Sequence, residues 1–251
     1  MKLYPLIDSR ESCNSVAAFF DIHSHLLAKR IQDADYIIVG WWDGWMLDCM
    51  RNHMQYKIPF LWINCGTRGF LLNTFDEKEL CATCEERIDR IDDLCIDVDI
   101  YHSNGHIDSS YFLNDITLWG SVLDYFSFCI SIKEKTQEMK WTALVVCTAL
   151  WSTGYALNLW QPLIPLQSHM WWISWVATAP FHYHFLQPQE LTIEVSWRSK
   201  AIVWLDGYNQ TYTSVQKIVL RPSEKKVQLA FFKSQPFAEK RLLLTEEKLW
   251  R

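Results

Sequence analysis

The spacing of apolar positions changes character along this chain. Near the N-terminus an apolar run, Leu3 to Ile7, is followed by a stretch of helical spacing from Ser15 to Arg30 and then by a second apolar run, Tyr36 to Val39. Short apolar runs bounded by polar residues read as buried strands, and apolar residues three or four apart read as one face of a helix. After a turn at Trp41 to Gly44, the residues Met46, Leu47, Met50 and Met54 share a helical face, and Pro59 to Ile63 reads as the next buried strand. This strand, helix, strand rhythm predicts a parallel sheet with crossover helices. The charged stretch from Asp76 to Ile91 reads as a further helix. From about Cys95 the segments become short and strand-like: Cys95 to His102, Phe112 to Leu118, Phe126 to Ile132, Ala143 to Thr148, Leu191 to Val195, Ala201 to Leu205 and Lys217 to Leu220. The expectation is an α/β, Rossmann-like lobe over residues 1–100, a β-rich lobe over 101–222, and a segment 223–251 that returns to the first lobe.

Composition narrows the function. Lys and Arg number 24 against 29 Asp and Glu, a net charge of −5, and the basic residues form no stripe that could neutralise a phosphate backbone, so nucleic acid is not expected as a partner. The apolar stretch Thr142 to Trp151 falls far short of the roughly 20 residues that span a bilayer, and the N-terminus lacks the basic-then-apolar layout of a secretory leader. We expect a soluble, cytoplasmic protein with no membrane partner. The eight cysteines are then expected as free thiols. Cys81 and Cys84 form the one C-x-x-C, but no second pair of metal-ligand spacing follows, so they read as part of the charged helix. His182 and His184 would point to one face of an extended segment and lack a nearby third ligand.

A strand ending in a tight Asp43-Gly44 turn before a helix is the first chemical signal, because a helix N-terminus offers free N–H groups and a positive dipole end to phosphate. Asp-Gly alone is common turn punctuation. Four blocks in order make it specific: IIVGWWDGWML, PFLWINCGTRGFLLN, FLNDITL and ALVVCTALWSTGYALNLWQPLIP. Between Asp33 and Gly207 the chain resembles the bacterial NAD kinases, whose signatures are a strand ending in G-G-D-G, a G-I-N-x-G-x-x-G-F-L block, an N-E or N-D pair, and a T-P-T-G-S-T-A-Y block followed by G-G-P. The resemblance implies the two-lobe NAD kinase fold, with an α/β phosphate-loop lobe and a β-sandwich-like NAD-binding lobe. It also implies ATP-dependent phosphorylation of the adenosine ribose 2′-hydroxyl of NAD.

The alignment bears on an odd composition. Tryptophan (14) outnumbers glycine (8), where average usage would give about 17 glycines. Trp41, Trp42, Trp62, Trp151 and Trp160 all stand where the family has glycine. Trp119, Trp175 and Trp204 also fall where a turn or tight contact would suit glycine. A bulky ring is among the worst exchanges for a phosphate loop, which needs positive φ and close approach of ligand to backbone. We therefore expect a gene in which UGA encodes glycine, translated here with UGA as tryptophan.

By resemblance, Asp43 is the catalytic residue, accepting the 2′-hydroxyl proton or orienting the divalent cation, Mg2+ or another, that bridges the ATP phosphates. Positions 41 and 42, with Gly44, form the phosphate loop. Asn64, Gly69, Phe70, Asn114, Asp115, Thr153, Gly154, Tyr155, Asn158 and Asp206 are the expected NAD-binding set, and no side chain is assigned as a direct metal ligand. Asp206-Gly207 could equally be a plain hairpin turn. The chain departs from the family at Thr142-Ala143, where an Asp-Gly is usual, at Ala149 and Leu150 in place of Pro and Thr, and at Gly154 in place of Ala. Family habit implies a homo-oligomer, dimer or tetramer. A lipid or sphingoid-base kinase shares the G-G-D-G loop but not the dinucleotide blocks, and a catalytically dead NAD-binding protein is the reading if the tryptophans are genuine.

Overall fold

The computed structural model describes residues 1–41, 43–65, 72–82, 87–120, 126–150, 164–165, 168–176, 182–196, 201–207 and 210–235, with the backbone alone at 41, 43, 44, 176, 182 and 183. The chain divides into two compact units, one of Met1–Asp92 with Lys226–Arg251 and one of Asp93–Lys225.

In the first unit, β1 (Leu3–Ile7), β2 (Tyr36–Trp41) and β3 (Phe60–Asn64) pair in parallel, joined through α1 (Asn14–Ile22) and α2 (Asp43–His53). The short β4 (Asn73–Thr74) extends the sheet beside β3, and α3 (Glu77–Cys81) follows, capped by Asp76, whose carboxylate accepts from the N–H groups of Lys78 and Glu79. Both faces of the sheet are covered, so its strands are apolar throughout, and Ile37, Ile38, Leu61 and Ile63 are wholly buried. Val16, Phe19 and Phe20 on α1 pack against Leu3, Ile38 and Leu61.

The expected helices are shorter than their spacing suggested. The stretch Ser15 to Arg30 ends its α-helix at Ile22 and continues as irregular turns. The helix expected from Asp76 to Ile91 is corrected more sharply, because α3 stops at Cys81 and the long strand β5 (Ile88–His102) begins seven residues later. Ile96, Val98 and Ile100 alternate there with Asp97 and Asp99, a period of two that a sheet half-exposed to water selects.

The second unit stacks two sheets over one core. β5 pairs with β6 (Ile107–Phe112) and with β16 (Val215–Phe232), and β16 leads on to β13 (Leu191–Val195), β8 (Phe126–Ile132) and β9 (Lys135–Trp141). The other sheet runs in the order β12 (His182–Leu186), β11 (Trp171–Val176), β10 (Ala143–Cys147), β7 (Asp115–Trp119), β14 (Ile202–Leu205) and β15 (Gln210–Tyr212). Phe112, Phe128, Leu144, Ile173 and Leu191 meet in the buried layer. The fold is mixed α/β plus β-rich, as the apolar pattern predicted. Strand β16 belongs to both units: its C-terminal half pairs with β3, and its N-terminal half with β13. Its basic residues face the aspartates of β5, Lys225 bonding to Asp97 at 2.9 Å and Arg221 to Asp99.

The tryptophans at 119, 175 and 204 lie within β7, β11 and β14, not in turns. Trp119 and Trp204 have ring centres 5.8 Å apart, and Trp175 lies 5.2 Å from His184. An extended strand makes no demand for positive φ, so these three positions, with Trp41 and Trp62, have no conformational need of glycine. None of the seven described cysteines forms a disulfide. Among the described residues no helix is long and apolar enough to cross a membrane.

Candidate active site

In the first unit, the carboxyl ends of three parallel strands lie side by side: Ile7 beside Gly40, and Trp41 beside Asn64. Ligands of open α/β sheets bind at such strand ends. Strand β2 ends at Trp41 and α2 begins at Asp43, so the free N–H groups and positive dipole end of α2 lie next to the carboxyl end of that strand, and position 42 lies outside the described residues. A Cβ at Gly40 would stand 2.8 Å from Ile7 Cδ1 and 3.4 Å from Cys65 Sγ, so the tip of the Ile7 side chain would have to shift to admit one. Asn64, half-buried, closes β3 next to Trp41, and Gly69 and Phe70 lie outside the described residues. Trp62 is fully buried in the middle of β3, with its indole N–H unpartnered.

In the second unit, two of the sequence blocks and the Asp206-Gly207 pair come together at one end of the six-stranded sheet. Strand β7 starts at Asp115, its antiparallel neighbours β10 and β14 end at Cys147 and Leu205, and Asp115 stands opposite Cys147. Backbone bonds draw the ends together, from Thr148 N–H to the Asn114 carbonyl at 2.9 Å and from Asp206 N–H to the Asp115 carbonyl at 2.8 Å. Thr148, which the sequence did not single out, also donates its hydroxyl to the Leu113 carbonyl at 2.7 Å. Asp206 is 3 % exposed and accepts from the N–H groups of Leu113 (3.0 Å) and Asn114 (2.6 Å). It does sit in the hairpin turn between β14 and β15, at φ +48°, with Gly207 at +74°. Its carboxylate braces the Asn114-Asp115 corner.

Two buried carboxyls therefore share this corner with one amide. Burial first, then the neighbouring Asp206 carboxylate, pushes the Asp115 carboxyl up to about 7, against the opposing pull of the Gly207 N–H. Asn114 is 8 % exposed, and its Oδ1 has no hydrogen-bond partner. An unpaired buried acceptor of this kind costs roughly 1–3 kcal/mol unless a ligand donor meets it. Thr153, Gly154, Tyr155 and Asn158, with Trp151 and Trp160, lie outside the described residues, though their segment continues directly from Thr148 to Leu150 at the same sheet end. A cavity of about 1390 Å³ elsewhere in this unit, lined by Ile130, Met139, Trp175 and Leu186, contains none of the candidate polar residues.

Comparison with known proteins converges on one family. The chain is 24% identical over 218 residues to an NAD kinase of Rickettsia rickettsii, covering 84% of this chain and 85% of that one. An NAD kinase of Rickettsia prowazekii is 23% identical over 219 residues, with the same coverage. Over most of its length the chain is similar to the NAD kinase family. No protein-family model matches it. Its fold is that of an Archaeoglobus fulgidus NAD kinase solved with ATP, with a TM-score of 0.72 at 16% identity over 96% of this chain and 99% of the other. A yeast NADH kinase solved with NADH gives a TM-score of 0.78 at 14% identity, covering 98% and 87%.

The titration of Asp115 gives a measurable consequence for the NAD kinase fold. A carboxyl that is harder to ionise when folded makes the folded state hold more protons between its unfolded and folded pKa values, so stability falls as pH rises from about 4 to about 7 and then levels. Asp115→Asn removes that fall. By urea unfolding the variant should match its parent most closely at about pH 4 and exceed it at about pH 8, by at most about 4 kcal/mol. A gap that does not change with pH would show that Asp115 is not the titrating group.

Proposed function

We propose that this chain catalyses transfer of the γ-phosphoryl group of ATP to the 2′-hydroxyl of the adenosine ribose of NAD, giving NADP and ADP. The observation that carries the reading is the corner at Asn114-Asp115, where a buried amide oxygen without a partner stands beside a buried carboxyl at the sheet end from which the S-T-G-Y segment departs. An amide that both donates and accepts suits a base edge, and a carboxylate suits ribose hydroxyls. Asp206 acts as a positioning residue, holding the backbone from which Asn114 projects. The family resemblance adds Thr153, Tyr155 and Asn158 of this unit to the NAD-binding set, and Asn64, Gly69 and Phe70 of the first unit.

Asp43 serves the chemical step. Its carboxylate takes the proton as O2′ forms its bond to the γ-phosphorus and the bond to the β-phosphate oxygen breaks, releasing ADP. Mg2+ or another divalent cation would neutralise the charge of the ATP phosphates, with Asp43 as the residue that would orient it. Asn114→Ala and Tyr155→Ala should each weaken NAD binding at least tenfold while changing ATP binding little. Calorimetric titration of both nucleotides checks this, and unchanged NAD affinity in both variants would place the acceptor pocket elsewhere.

The glycine reading of positions 41, 42, 62, 151 and 160 belongs to the same proposal, because positions 41 and 42 fall in the phosphate loop, where ligand must approach the backbone closely, and the other three follow the family's glycine pattern. The orphaned indole N–H of Trp62 supports it. UGA codons at all five positions are the expected finding, and UGG there would favour a catalytically dead NAD-binding protein.

A further inference from the structure

The cavity of about 1390 Å³ in the second unit takes no part in the kinase site. It opens between the two sheets where each, among the described residues, ends in an edge strand, β9 in one and β12 in the other. Protein interiors leave few voids larger than a water molecule, and pockets for small molecules run from about 300 to 1,000 Å³, so a space of this size is a container and not a packing fault. Strand register decides its lining. Ile132 pairs with Lys135 and Ile130 with Gln137, and paired residues share a face, the one on which Met139 is buried in the core. Across the gap Ile173 pairs with His184, and Trp171 with Leu186. The walls are therefore aliphatic and aromatic, whereas the Lys and Glu side chains of the lining, Lys133, Glu134 and Lys135, all stand at the turn from β8 to β9.

An apolar chamber with cations at its mouth suits a molecule with an aliphatic body and an anionic head. Among the described residues no ion pair engages Lys133 or Lys135. Two lysines against Glu134 leave one net positive charge, which matches a monoanion better than a phosphate dianion, and the lining holds no arginine to offer the fork that phosphate favours. We propose that this cavity binds a single-chain fatty acid, with its carboxylate at Lys133 and Lys135 and its hydrocarbon along Ile130, Met139, Ile173 and Leu186. His184, its ring centre 5.2 Å from that of Trp175, closes the β12 side. An inward-pointing charge on an edge strand can also serve only to deter pairing with another chain. A lysine of that kind would leave acid binding untouched, so the two roles separate by experiment.

The test uses the full chain and calorimetric titration with octanoate, decanoate and dodecanoate below their micelle-forming concentrations. One acid per chain is expected, with affinity rising about fourfold for each added methylene, the scale of burying that group. Dodecyltrimethylammonium, of equal chain length and opposite charge, should bind at least about tenfold more weakly than dodecanoate. Lys133→Ala combined with Lys135→Ala should weaken dodecanoate binding at least about tenfold, and the corresponding Arg pair should hold it within about threefold. Both lysines are exposed, so the fold should survive either change. Independently of any variant, a diazirine-bearing dodecanoate photolysed on the parent should label peptides of β8, β9, β11 and β12. Vesicles of phosphatidylcholine and phosphatidylglycerol should not retain the chain. Absence of saturable acid binding, equal affinity for the cationic amphiphile, unchanged binding in the Ala pair, label confined to other peptides, or capture by the vesicles would each overturn the proposal. None of these readouts depends on kinase activity.

Discussion

Asp43→Asn, made in a chain carrying glycine at 41, 42, 62, 151 and 160, is expected to lower turnover with saturating NAD and ATP by at least about a hundredfold, the usual scale for losing a positioned acid or base. The amide keeps the size of the side chain and its place at the first residue of α2, so the helix should persist. NAD affinity should change less than threefold, because the binding groups proposed for the dinucleotide lie at Asn114-Asp115 and in the S-T-G-Y segment. The split between a large loss in kcat and a small change in affinity is what distinguishes a group acting in the transition state from one that merely binds. Steady-state kinetics with calorimetric NAD titration reads both quantities. Turnover equal to the parent's would remove Asp43 from the mechanism, and a parallel loss of affinity would recast it as a binding residue.

The second large effect is all-or-none. The chain with tryptophan at 41, 42, 151 and 160 should show no NADP formation, and the chain with glycine there and at 62 should convert NAD to NADP with ATP and a divalent cation. By the family resemblance positions 41 and 42 belong to the phosphate loop, where an indole ring in place of glycine would take volume that phosphate oxygens need. Turnover decides the matter better than melting. Trp62 fills its core position completely, and emptying such a position costs about 3–5 kcal/mol if the surroundings do not relax, whereas its unpartnered N–H costs about 1–3 kcal/mol. Those opposing terms make the sign of any stability change uninformative. Activity in the tryptophan chain equal to that of the glycine chain would end the recoding reading. Substitutions at Trp119, Trp175 and Trp204 belong in a separate series, since these rings sit on strands with aromatic partners.

The family, the kinase activity and the α/β plus β-rich fold were all legible in the sequence, because each rests on local regularities. Buried parallel strands such as Tyr36–Trp41 are nearly continuous apolar runs, and the four sequence blocks kept their order although several glycine positions read as tryptophan. Strands without an apolar signature were not legible. β9, Lys135–Trp141, buries only Met139 and is a strand because β8 offers it a ladder. β16 continues through Arg221-Pro222-Ser223-Glu224-Lys225-Lys226, a run that reads as a loop, because the aspartates of β5 supply the opposite charge across the ladder. Sequence likewise marked Asp206 as a ligand or a turn. Only the fold shows its carboxylate holding the Leu113 and Asn114 N–H groups, residues more than ninety positions away. The same holds for His23 and Cys81, 58 positions apart, which meet because α1 and α3 end at the same place. Period and local motif are written in neighbouring residues. A hydrogen bond or a contact between distant residues is fixed only when the chain packs, because burial and strand pairing, not sequence spacing, decide which polar groups share one corner.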